Sequence, residues 1–133
     1  MNIADIEGIG PVYAEKLAAA GVKTTDALLE RGATSKGREE LETTTGIGHV
    51  LILKWVNRAD LYRIKGIGSE YSDLLEVAGV DTVPELAQRN AANLTETLAE
   101  ANAARSLVRR VPTAAEVTDW IDQAKQLPRV VQY

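Results

Sequence analysis

The stretch Ile6-Glu7-Gly8-Ile9-Gly10-Pro11-Val12-Tyr13-Ala14-Glu15-Lys16-Leu17 returns 58 residues later as Ile64-Lys65-Gly66-Ile67-Gly68-Ser69-Glu70-Tyr71-Ser72-Asp73-Leu74-Leu75. The register continues through Ala20-Gly21-Val22 and Thr24, matched by Ala78-Gly79-Val80 and Thr82, and reaches Leu28 and Arg31, matched by Leu86 and Arg89. Twelve of the 27 positions from Ile6 to Gly32 are identical under this shift, a level that chance does not reach over such a length, so the chain is a duplication. The second half of each unit also matches once about seven extra residues are allowed in the second copy. Ile52, Trp55, Val56 and Ala59 recur as Val117, Trp120, Ile121 and Ala124, both sets spaced i, i+3, i+4, i+7 along one helix face. The units are expected to run over residues 2–59 and 60–127, with Asn2 and Asp60 at equivalent helix starts and residues 128–133 as a C-terminal tail.

Helix boundaries are marked by residue type. Pro11 sits where a first helical position belongs, and Gly21 and Gly79 stand where a helix should stop. Thr82 with Glu85 and Thr113 with Glu116 have capping-box spacing, and Pro128 closes the last helix. This pattern predicts about ten short helices, five per unit, with no strand signal.

Three turns share one pattern: Gly8-Ile9-Gly10, Gly46-Ile47-Gly48 and Gly66-Ile67-Gly68. The glycines permit positive φ and close backbone approach, and the isoleucine between them is expected to turn inward and staple two helices. At the fourth equivalent place, Val111-Pro112-Thr113 has lost both glycines. Tyr13 and Tyr71 stand three residues past the second glycine, where stacking on a base and filling between helices are both open. Trp55 and Trp120 read as core, and His49 as a surface or capping residue.

The run Ile6-x-Gly8-Ile9-Gly10-Pro11-x-x-Ala14-x-x-Leu17 resembles a helix-hairpin-helix motif. Two such motifs per unit resemble the paired five-helix domain of that superfamily, so the resemblance implies an all-α fold of two tandem five-helix (helix-hairpin-helix)2 units, of the SAM-like type. Over about residues 2–127 the chain resembles a bacterial family of unknown function made of two such units. The resemblance also implies a mechanism, in which backbone N–H groups at the start of the second helix grip a nucleic-acid phosphate without reading sequence. Free amides at the positive end of a helix are a physically sound anion site. Nucleic-acid-binding members of the superfamily often carry Lys or Arg two residues past the second glycine, and here Val12, Val50 and Glu70 occupy those places.

Composition narrows the chemistry. Fifteen Lys and Arg face 19 Asp and Glu, for a net charge of −4, which excludes a strongly basic nucleic-acid coat. Residues 2–59 carry 7 basic and 8 acidic groups, and residues 60–127 carry 7 and 11. Cysteine is absent and His49 is the single histidine, so thiol chemistry and multi-histidine metal sites are excluded, and neither cofactor nor metal is expected. Glu39-Glu40 has no partner motif for general acid–base work, and the two repeats leave no room for the base pocket that glycosylases of the resembled superfamily build from additional helices, so an enzyme is not expected. The longest apolar run, Val50-Leu51-Ile52-Leu53, is far short of the roughly 20 residues that span a bilayer. The N-terminus does not read as a sorting signal, so the expected location is the cytoplasm.

Two functions fit these residues. One is binding of DNA or RNA backbone through the amides of Gly8, Gly10, Gly46, Gly48, Gly66 and Gly68, assisted by Arg63 and Lys65 before the third turn and Arg109 and Arg110 before the fourth. The other is a protein-interaction or scaffold module, binding a protein partner or a second copy through the same fold. The acidic charge and the residues Val12, Val50 and Glu70 favour the second.

Overall fold

A computed structural model describes every residue from Met1 to Tyr133, and all of its regular elements are helical. A 3-10 helix, Ile3–Asp5, precedes α1 (Pro11–Ala19), α2 (Thr25–Gly32), α3 (Ser35–Thr45) and α4 (His49–Leu61). Then follow α5 (Ser69–Val77), α6 (Val83–Ala87), α7 (Ala91–Arg105) and α8 (Ala114–Gln126). The extended backbone forms one antiparallel bridge, between Asn2 and Thr24. No helix is long and apolar enough to cross a membrane. The chain divides into two compact units: unit 1 is Met1–Asp60 with Arg129–Tyr133, and unit 2 is Leu61–Pro128.

Nine helical elements stand where the sequence suggests ten, and the difference lies at Asp60. Asn2 opens the first 3-10 helix, its Oδ1 accepting from the Ala4 N–H at 2.8 Å. Asp60 opens nothing, because it is the penultimate residue of α4. No glycine or proline interrupts the sequence from His49 to Leu61, so the helix runs through the expected boundary. The next turn closes directly behind it, with the Ile64 N–H donating to the Leu61 carbonyl at 3.1 Å.

The other helix ends follow their residue types. Pro11 is the first residue of α1. Beyond α1, Gly21 takes φ +86°, and Val22 N–H reaches back to the Leu17 carbonyl at 2.8 Å. Gly79, at φ +91°, ends α5 in the same way, with Val80 N–H on the Leu75 carbonyl at 2.8 Å. This is the Schellman arrangement, which glycine favours because a Cβ is strained at positive φ. The repeated arginine has a structural use in unit 1, where Arg31 Nη1 donates to the Ala20 carbonyl at 2.9 Å. Thr113 and Glu116 form a reciprocal capping box. At α6 the box is half made: Thr82 Oγ1 accepts from Glu85 N–H, but the Glu85 carboxylate takes the Thr82 hydroxyl in place of a backbone N–H.

In unit 1, Leu17, Leu28, Leu41 and Ile52 are fully buried and Trp55 is nearly so. In unit 2, Leu74, Leu86, Leu94, Leu98 and Val117 form the core with Trp120 and Ile121. Each such aliphatic side chain contributes about 1.5–3 kcal/mol by leaving water. Gly32 lets α2 lie against Val56 of α4, where an added Cβ would collide. The extra length of the second copy goes partly into α7, which has 15 residues where α3 has 11. The rest forms the longer loop to α8, which Asn102 pins by donating to the Val108 carbonyl at 3.0 Å and accepting from its N–H at 2.9 Å.

Candidate functional site

The three Gly-Ile-Gly turns are built alike from backbone upward. The first glycine of each lies in the left-handed region, Gly8 at φ +93°, Gly46 at +74° and Gly66 at +100°. The central residues Ile9, Ile47 and Ile67 are buried, which fixes the turn by apolar burial. The second glycine then opens the following helix, its carbonyl accepting from Ala14 N–H for Gly10, Ile52 N–H for Gly48 and Ser72 N–H for Gly68. A Cβ at Gly10, Gly48 or Gly68 would meet no atom within 4 Å, so these positions face open space. Neither Gly10 nor Gly68 is replaced or assisted by a side-chain cap, which leaves first-turn N–H groups of α1 and α5 without helical partners.

The first and third turns each rest on an aromatic pair. Tyr13 packs edge-on to Trp55 in unit 1, with ring centroids 5.2 Å apart, and Tyr71 packs on Trp120 in unit 2 at the same separation. The indole nitrogens point at the first glycines: Trp55 Nε1 stands 3.5 Å from a Cβ position on Gly8, and Trp120 Nε1 2.8 Å from that on Gly66. Trp55 Nε1 is buried with no hydrogen-bond partner. Both tyrosines are half-buried against these rings, so filling between elements accounts for them.

The fourth turn is closed. Pro112 is buried in the isoleucine's place, and Thr113 Oγ1 accepts from Glu116 N–H at 3.2 Å, a side-chain cap that the helices after Gly10 and Gly68 lack. Arg110 donates to both carboxylate oxygens of Glu116, at 2.6 and 2.9 Å. The Arg110 bonds, with a further one from Thr113 N–H, hold the Glu116 carboxyl well below the usual range, at about 2. Tyr71 joins this turn to α5, its hydroxyl donating to the Arg110 carbonyl at 2.9 Å.

The basic residues are therefore unequal. Arg110 is committed to Glu116, and Arg63 Nη2 donates to the Pro128 carbonyl at 3.1 Å. Lys65 has its backbone clasped by Gln123, which accepts from its N–H at 2.9 Å and donates to its carbonyl at 3.1 Å. The side chains of Lys65 and Arg109 are exposed, and so is Glu70 at the start of α5. In unit 1 the first turns of α1 and α4 carry no Lys or Arg. They present Val12, 65% exposed, and Val50, 70% exposed. His49 is exposed with Nδ1 3.3 Å from Glu42. Glu39 and Glu40 line an open depression with Lys36, Thr43 and Thr44.

The sequence did not reveal Arg38, a buried arginine in α3 that donates to the carbonyls of Gly32, Ala33 and Gln132. Its only local signal is an arginine in a polar helix, Ser35-Lys36-Gly37-Arg38-Glu39-Glu40, and its partner Gln132 is 94 residues away.

These features define an all-helical protein of two compact units in which glycine turns present helix starts. The chain belongs to the family described as Domain of unknown function (DUF4332), whose model matches residues 7–127. No curated protein and no solved structure matches the chain.

Proposed function

We propose that this chain is a non-catalytic binding module of two tandem helix-hairpin-helix units, and that the turns of unit 1 dock on a protein surface. The observation that carries this reading is the exposure of Val12 and Val50 at equivalent places, in the first turns of α1 and α4. A phosphate-gripping hairpin gains from a cation there, because it adds charge beside the amides. A valine adds apolar surface, and an exposed apolar side chain repeated at equivalent turns suits burial against a partner. The open space at Gly10 and Gly48 lets a partner's backbone approach closely.

The test changes Val12 and Val50 together to Asp. Sedimentation and capture from lysate should find the native chain self-associated or bound to a partner, with the complex lost in the double variant while helix content is kept. A native chain that stays monomeric and captures nothing overturns the reading.

A second reading, grip on DNA or RNA backbone, is favoured by the uncapped amides of α1 and α5 and by the exposed Arg109. It predicts binding to a labelled duplex at low salt that falls steeply by about 200 mM and vanishes when Arg109 and Arg110 become Ala. Binding of that kind would replace the protein-docking reading.

A further inference from the structure

The five residues after Pro128 belong to unit 1, although the helix before them, α8, belongs to unit 2. Their attachment has the form of peptide recognition. Gln132 uses its main chain in both directions, its N–H donating to the Ala33 carbonyl at 2.7 Å and its carbonyl accepting from Arg38 Nη2 at 2.6 Å. Val131 is buried at 2% exposure, the side chain of Gln132 is exposed, and the Tyr133 hydroxyl donates to Asn57 Oδ1 at 2.6 Å. Tyr133 is 59% exposed and held by its hydroxyl, so Val131 is the one buried anchor, and an anchor beside a backbone bonded in both directions is how a fold reads a peptide segment. The segment is also braced internally: Arg129 Nε donates to the Val131 carbonyl at 3.0 Å, and its guanidinium lies over the Tyr133 ring, 5.5 Å from the centroid. Such bracing lowers the ordering cost of docking.

The receiving side is built as well. Arg38 is 7% exposed and divides its donors between the end of α2 and the docked segment, so the groove is held by the same group that reads the peptide. A cavity of about 410 Å³ runs beside Tyr133, lined by Arg38, Glu39, Glu42, His49 and Leu53, and leaves the approach open.

We infer that unit 1 carries a peptide-binding groove for an extended Val-x-Tyr segment, closed in cis by Arg129–Tyr133 and able to take the same segment from a second copy of the chain. This is independent of the valines at the turns. A segment that follows unit 2 in the chain and docks on unit 1 has the topology needed for exchange between copies. The short connection gives the chain's own segment a high effective concentration, so the groove is filled in cis until that segment is disabled.

The test uses the full chain with Val131→Asp, which expels the buried anchor, and a capped, fluorescent peptide of residues 127–133. The variant should bind the peptide at least tenfold more tightly than the native chain does, and a peptide carrying the same Val131→Asp change should not bind. Gln132→Pro, which removes the N–H bonded to Ala33 and stiffens the backbone there but keeps the Val131 side chain, serves if the first variant does not fold. Mixing Val131→Asp with Arg38→Ala, one lacking the anchor and the other the groove, should give a heterodimer by sizing. A folded variant that binds no better than the native chain overturns the inference. So does loss of fold in both tail variants, since a groove that exists only with its own segment cannot exchange it. Peptide binding without the heterodimer rejects the second copy as occupant.

Discussion

Trp120 and Gly66 meet more closely than a side chain at position 66 would allow, with the indole nitrogen 2.8 Å from the place of an added Cβ and Gly66 itself at φ +100°. The corresponding pair in unit 1, Trp55 and Gly8, has the same backbone geometry, at φ +93°, but a separation of 3.5 Å. Repeated sequence has produced the same contact at two tightnesses, and two substitutions can separate strain from collision.

Gly8→Ala meets the backbone penalty alone and should cost about 1–2 kcal/mol. Gly66→Ala meets that penalty and must also displace a buried indole, so a loss of about 3 kcal/mol or more is expected. Urea unfolding of the two variants checks this. Equal losses would show that the indole yields freely.

Ser106 offers the opposite change. It caps α7 in the left-handed conformation, at φ 52° and ψ 45°, and is the one non-glycine residue with positive φ. Its N–H donates to the Asn102 carbonyl at 2.7 Å, a bond that any residue but proline retains. Ser106→Gly should relieve the strained conformation and raise stability by roughly 0.5–1 kcal/mol after the added freedom of the unfolded chain is deducted. A lowered urea midpoint would contradict it.

The contrast between these sites explains what the sequence could disclose. Gly21, Gly79, Pro11 and the Thr113-Glu116 box act through neighbours a few residues away, so residue type alone located the ends of α1, α5 and α8. The facing sets around Trp55 and Trp120 were legible because a helix repeats its face every 3.6 residues. Asp60 misled because a polar residue marks a helix start only where the chain before it breaks, and α4 does not break. At the turns, the positions of the glycines and of Val12 and Val50 were readable, but the commitment of Arg110 to Glu116 and of Arg63 to Pro128 was not. Arg38 and Gln132 were out of reach because their bond spans 94 positions and carries no periodic signature.

The Arg110–Glu116 pair makes stability depend on acid. Glu116 is held at about 2, against an ordinary value of 4.5, by Arg110 and by Thr113 N–H. A depressed folded value means that the unfolded chain takes up its proton first. The contribution is therefore complete above pH 4.5 and disappears as the pH falls through about 2. Glu116→Gln should unfold more easily than the native protein at neutral pH, with the gap closing between those two values. Because the pair is solvent-exposed, added salt should narrow the gap as well. A gap that stays constant on acidification would assign the effect to the Thr113 cap instead.

Placing a cation at the turns of unit 1 tests whether they can hold a phosphate. Val12 and Val50 project from the first turns of α1 and α4, and Gly10 at the head of α1 has no side-chain cap. Changing both valines to Lys should create binding to duplex DNA at low ionic strength, exceeding that of the native chain. With one phosphate held at each turn, the log–log salt slope should steepen by about 1.8, since each neutralised phosphate contributes about 0.9. Both substitutions lie on exposed sites and should change stability by no more than about 0.5 kcal/mol. A slope of about half that size would mean that only one turn presents its amides to a phosphate. No binding at all would mean that neither does, and would count against the nucleic-acid reading of these turns.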